Sequence, residues 1–206
     1  MFKQLIKSIS YKIYLTGSIE AERLAKEFRI SQLKERVSME DYSFINHVAT
    51  IENAQNAPSK ITIGKQSRIN GNLMLFKHGG EINIGDYSYV GEDTRIWSAK
   101  RIKIGDRVLI AHNVNIHDNI SHPLNSNDRH HDYLHILEKG FQENNNLREE
   151  EIIISDDVWI GFNSIILKGV TIGKGAIIGA NTLITEDVPP FAVIVGNPAR
   201  IIKYVD

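Results

Sequence analysis

ISDDVWIGFNSIILKGVTIGKGAIIGANTLI, residues 154–184, places an isoleucine at every sixth position: Ile154, Ile160, Ile166, Ile172, Ile178 and Ile184. A side chain recurring every six residues cannot keep to one face of an α-helix, whose turn holds about 3.6 residues. Toward the N-terminus the same position is filled by Ile110, Ile104, Val90, Ile84 and Ile63, so all eleven are Ile or Val. Glycine follows at Gly64, Gly85, Gly91, Gly105, Gly161, Gly173 and Gly179. The fifth position, from Ser67 and Ser88 through Val158 and Ala176 to Val188, never carries a large side chain.

The pattern predicts an all-β solenoid of short parallel strands. Each aliphatic residue points inward and stacks on its copies at a strand spacing of about 4.8 Å. Small residues fit the crowded corners, and glycine tolerates the sharp turns. Three hexads close one coil, which puts Ile172 directly over Ile154. Six or seven coils are expected from Ile61 to Pro189. Steps of 21 residues from Ile63 to Ile84 and 20 from Ile84 to Ile104 imply small outward bulges.

Composition narrows the chemistry. The 206 residues are 42% hydrophobic and 24% charged, enough for a packed core. With 24 basic and 25 acidic side chains the net charge is −1, which speaks against general nucleic-acid binding. The absence of cysteine excludes thiol nucleophiles, disulfides, zinc ribbons and iron–sulfur clusters. No apolar run approaches a membrane span, and the N-terminus has no signal-peptide pattern, so a cytoplasmic protein is expected.

Residues 1–45 lie outside the repeat and read as a helical segment, with the β-helix domain over 46–206. Phe2, Leu5, Ile6, Ile9 and Ile13 make one helical stripe. Gly17 and Ser18 predict a break, and Leu24, Phe28, Leu33 and Val37 a second stripe. The two helices are expected to cap the solenoid. Lys3 and Lys7 leave a weak membrane-surface contact through residues 1–15 as a secondary expectation.

The repeat is interrupted once. Ile104 and Ile154 are 50 residues apart, one 18-residue coil plus a 32-residue excursion, placed at about 119–151. A loop that long in a regular solenoid marks a functional segment. It holds His122, His130, His131 and His135, half of the eight histidines.

The hexads as a whole, from Ile61 to Val205, resemble the left-handed parallel β-helix of the hexapeptide-repeat acyltransferases. Val108-Leu109-Ile110-Ala111, then Asn113-Val114, then His122-Pro123 is similar to the sugar O-acetyltransferase members, with one extra residue before the histidine. The resemblance implies an O-acetyltransferase that moves acetyl from acetyl-CoA directly to a hydroxyl of a sugar or surface polysaccharide. His122 matches the catalytic base, Trp159 an aromatic lining the active site, and Gly161 and Ala180 small positions beside pantetheine. Thr185 matches a cofactor contact, and Arg200 and Lys203 basic positions near the nucleotide phosphates. A lysine common after the threonine is Glu186 here, which leaves Lys168 or Lys174 to help with phosphate. The family site lies between subunits, so a homotrimer is implied. The partner orienting His122 is not readable; Asp118, Glu150 and a backbone carbonyl all qualify. The remaining loop histidines read as solvated.

Two other readings have a basis in the sequence. His112 and His117, with His78 as a third ligand, are similar to the metal histidines of γ-class carbonic anhydrases, a zinc chemistry. An acetyltransferase acting on an amino acid, amino sugar or antibiotic differs only in its acceptor. The leading expectation is a metal-free acetyltransferase.

Overall fold

A computed structural model describes residues 2–140, 142 and 147–205, with the side chains of residues 2–10 and 13 outside the description. Three parallel sheets form a prism. The first contains Ser38–Met39, Ile61–Ile63, Ile82–Ile84, Ile102–Ile104, Ile152–Ile154 and Thr171–Ile172. The third contains Thr50–Asn53, Asn72–Leu75, Arg95–Ser98, Asn115–His117, Ile165–Ile166 and Leu183–Ile184. Between them in chain order runs the second, from Phe44–Ile45 through Leu109–Ile110, Trp159–Ile160 and Ile177–Ile178 to Ala192–Val195. Arg200–Tyr204 then turns back antiparallel along Ala192–Val195. The arrangement is the left-handed parallel β-helix.

Register follows the isoleucines. Ile154 sits over Ile172, Ile160 over Ile178 and Ile166 over Ile184, and all six are buried. The fifth-position hydroxyls do more than save space. Ser88 Oγ donates to Gly105 O at 2.9 Å and accepts from Val108 N at 3.0 Å, so a buried polar corner is satisfied from coil to coil. Asp106 Oδ1 accepts from Asp86 N, and Asp156 Oδ1 from Asp106 N, repeating the device at an outer corner.

Three expectations are corrected. The solenoid starts at Ser38, inside the 1–45 segment, because Met39 pairs with Ile63, Ile45 with Ile69 and Ile51 with Leu73. Among the described residues six complete coils result, five of them from Ile61 onward. Secondly, Phe2–Lys34 is one helix, α1, unbroken at Gly17. An exposed helical glycine costs only about 1 kcal/mol, and Ser18 Oγ donates back to Leu15 O instead of capping a new helix. Ion pairs of Arg23 with Glu20 and Glu27, and of Lys26 with Glu22, support the same stretch and lower the Glu20 and Glu22 carboxyls. Thirdly, the cap is made by the C-terminal end of α1 and not by two helices. Leu33 and Val37 are buried but Leu24 and Phe28 are exposed, so among the described side chains the C-terminal end of the helix caps the first coil. There Arg29 donates to His47 O and Arg36 to Ile51 O. The stripe from Phe2 to Ile13 and Lys3 and Lys7 fall outside the described side chains. Among the described residues no helix is long and apolar enough to cross a membrane.

Candidate active site

The excursion leaves after Asn115–His117 and returns at Ile152–Ile154, and its neck is paired. Glu150 N donates to Asp118 O at 2.9 Å and Ile120 N to Leu147 O at 3.1 Å. The carboxylate of Asp118, fully buried, accepts four hydrogen bonds, from Ser98 Oγ, Ala99 N, Lys100 N and Asn119 Nδ2. It clamps the exit of the loop and is not the partner of His122. Glu150 is taken by Lys168, which lowers the Glu150 carboxyl. Ile120 and Leu147 pack with Met74, Phe76, Trp97 and Ala99 in a small second core on the outer face of the third sheet.

The partner of His122 is Asp132, whose Oδ2 lies 3.0 Å from Nδ1. Asp132 is buried at 3% exposure and sits on a helix in the excursion, α2 (Ser126–Lys139). Its Oδ1 accepts from Gln142 Nε2 at 3.1 Å. Asn125 caps α2, accepting from Asn127 N and Asp128 N, and Gly140 closes it with φ 79°. Sequence reading missed this helix, although an Asn cap, Asp128 at its third position and a following glycine were all available signals. A carboxylate can only accept, so in the neutral ring Nδ1 is the nitrogen that carries the proton and Nε2 the one that can accept. The His122 side chain is 46% exposed, open to a reacting group. His131 and His135 line a cleft of about 650 Å³ beside α2 together with Asp128 and Asp132.

The other expected site residues lie elsewhere on the prism. Trp159 projects from the second sheet between Leu109 and Ile177, whereas the His122 loop covers the third. Gly161 is buried, and a Cβ there would lie 2.6 Å from Ala180 N, so coil stacking alone requires a glycine. Thr185 lines a cleft of about 300 Å³ with Asn197, Pro198 and Ile201. Arg200 and Lys203 are exposed on the antiparallel return strand. Lys168 and Lys174 are engaged, with Glu150 and with Asp157 at 3.7 Å.

The three histidines of the metal reading each have a separate neighbour. His112 stacks on Phe162 with ring centroids 5.2 Å apart, His117 on Trp97 at 4.7 Å, and His78 pairs with Glu149. Burial lowers the His117 imidazole and keeps it neutral near pH 7. Among the described residues no three His, Cys, Asp or Glu side chains could share a metal ion.

Residues 151–186 match the family described as Bacterial transferase hexapeptide (six repeats). The chain thus carries hexapeptide repeats and folds as a parallel β-helix. The hexapeptide-repeat chain is 34% identical over 133 residues to the galactoside O-acetyltransferase of Escherichia coli (strain K12), covering 65% of this chain and 59% of that one. It therefore spans less than two thirds of that relative's length. Among solved structures, it superposes on a maltose O-acetyltransferase from Clostridium difficile 630 with TM-score 0.52 and 26% identity, over 86% of this chain and 73% of that one. A variant of AntD, an N-acyltransferase from Bacillus cereus in complex with dTDP-4-amino-4,6-dideoxyglucose and coenzyme A, shares the fold. Its TM-score is 0.66 at 24% identity, covering 84% and 85% of the two chains.

Proposed function

We propose that the protein is an acyltransferase that moves acetyl from acetyl-CoA to a hydroxyl of a sugar or glycan. The carrying observation is the His122–Asp132 pair, a half-exposed imidazole oriented by a buried carboxylate. In the proposed reaction Nε2 takes the proton of the acceptor hydroxyl as its oxygen attacks the thioester carbonyl. The carbon–sulfur bond then breaks, and the proton on Nε2 passes to the departing thiolate to give free coenzyme A. Asp132 steadies the imidazolium formed between the two proton transfers. Direct transfer suits a chain with no cysteine. The names of the relatives support an acetyl or acyl donor and a sugar acceptor.

The active assembly in this reading is a homotrimer. Trp159 and His122 belong to different faces of one prism, so a second copy must bring its Trp159 face to the loop if both are to meet one substrate. Gly161, Ala180, Thr185, Arg200 and Lys203 are then the donor side of that groove, with the two basic residues for the phosphates.

Thiol release from acetyl-CoA, measured against galactosides, maltose, amino sugars, serine and chloramphenicol, tests the proposal. Acetyl ester on a sugar hydroxyl is the expected product. Exclusive amide formation would reassign the acceptor, and no thiol release with any hydroxyl or amine would overturn the reading.

A further inference from the structure

The loop has a second anchor, apart from the His122–Asp132 pair. His78 lies in the tight turn closed by the Phe76–Gly79 bridge, just after the third-sheet strand Asn72–Leu75. Its Nε2 is 3.2 Å from Glu149 Oε1, and the two side chains are only 10% and 21% exposed. Phe76 closes one side, its ring centroid 5.6 Å from the imidazole. The same Glu149 oxygen accepts from Leu147 N at 3.1 Å. Leu147 O in turn accepts from Ile120 N at 3.1 Å, and Ile120 O from His122 N at 2.7 Å. A short line of hydrogen bonds thus runs from His78 to the backbone of His122. His78, Ser121, Asp132 and Gln142 also border one small cavity.

The apolar contacts under the loop hold it to the sheet but do not fix its position along it, because burial is non-directional. Hydrogen bonds carry direction and distance. A half-exposed imidazole cannot be placed by packing, so its position depends on the backbone at 120–122 and on Asp132.

We infer that His78, through Glu149, is a positioning residue that fixes the height of the loop neck and with it the placement of the His122 imidazole. The inference rests on the reading of His122 as the base. His78 itself touches no reacting atom.

Amide hydrogen exchange and steady-state kinetics on full-length His78→Ala, His78→Gln and Glu149→Gln test it. In His78→Ala, exchange at the Ile120 and His122 amides is expected to speed up by about 10-fold, with Ile110 and Ile160 unchanged. Turnover should fall by about 10–100-fold, since a small misplacement of a catalytic group is costly. KM for acetyl-CoA should stay within about twofold, since Arg200 and Lys203 lie on the second sheet, away from the loop neck. His78→Gln keeps a donor for Glu149 and should restore most of both effects, whereas Glu149→Gln should resemble His78→Ala only in part. Wild-type exchange at Ile120 and His122 in His78→Ala would overturn the inference. So would faster exchange throughout the coils with no rescue by glutamine, which marks a merely structural histidine. Should the wild type transfer no acyl group at all, the function fails on its own, and the exchange data still decide the anchor.

Discussion

Ile104 and Ile154 are 50 residues apart in sequence and face each other across adjacent strands of the first sheet. Ile102 meets Ile152 in the same register, so the excursion between them leaves the ladder undisturbed. The solenoid and the loop are separable physical objects, one held by stacked isoleucines and the other by Asp118, a small second core and the His78–Glu149 pair.

Replacing residues 119–150 by a short turn should therefore keep cooperative unfolding and the β-sheet circular dichroism. Acyl transfer should drop to background, because His122 and Asp132 leave together. Loss of cooperative unfolding in the shortened chain would show that the coils depend on the loop.

His122→Ala should lower turnover by about 10²–10⁴-fold while acetyl-CoA affinity stays nearly intact. Asp132→Asn should cost about 10–10³-fold, since an amide can donate to Nδ1 and leave the wrong nitrogen protonated. His130→Ala should change little. A pre-steady-state and calorimetric comparison of the three separates chemistry from binding.

Arg200→Ala should weaken coenzyme A binding by about 1–3 kcal/mol if its guanidinium meets a phosphate. Calorimetry at low salt reads the effect. Dephospho-coenzyme A should narrow the gap if the partner is the ribose phosphate. An unchanged Kd would remove Arg200 from the donor site.

His117 sets a pH dependence of stability. Burial depresses its folded-state pKa below the ordinary 6.5. Above 6.5 the residue is neutral in both folded and unfolded chains and its pairing with Trp97 is fully retained. As pH falls below 6.5 the unfolded chain takes up the proton first, so stability declines until pH passes the depressed folded value. His117→Phe keeps a ring against Trp97 and cannot titrate. Its Tm should fall less than wild type on going from pH 7 to pH 5, and equal slopes would contradict the assignment.

The isoleucine period made the prism legible because each coil repeats one packing problem. Met39, Ile45 and Ile51 obey the same spacing, but Glu40, Asn46 and Glu52 stand where glycine usually follows, so the first coil lacks the glycine signature of the later ones. His122 was legible through a motif. Asp132 was not, because ten residues of irregular chain and a helix must fold before the two side chains meet. The division of Trp159 and His122 between faces followed from the third dimension, which a hexad count does not contain.

The strand Arg200–Tyr204 reverses direction along Ala192–Val195. A parallel stack would otherwise present a bare strand there, open to addition of another coil from another molecule. The reversal offers an arriving chain an antiparallel strand carrying Arg200 and Lys203, whose pairing pattern and charge do not continue the ladder. At the other end α1 covers the first coil through Leu33 and Val37. With both ends plugged, the architecture that most resembles a fibre in cross-section is kept from becoming one.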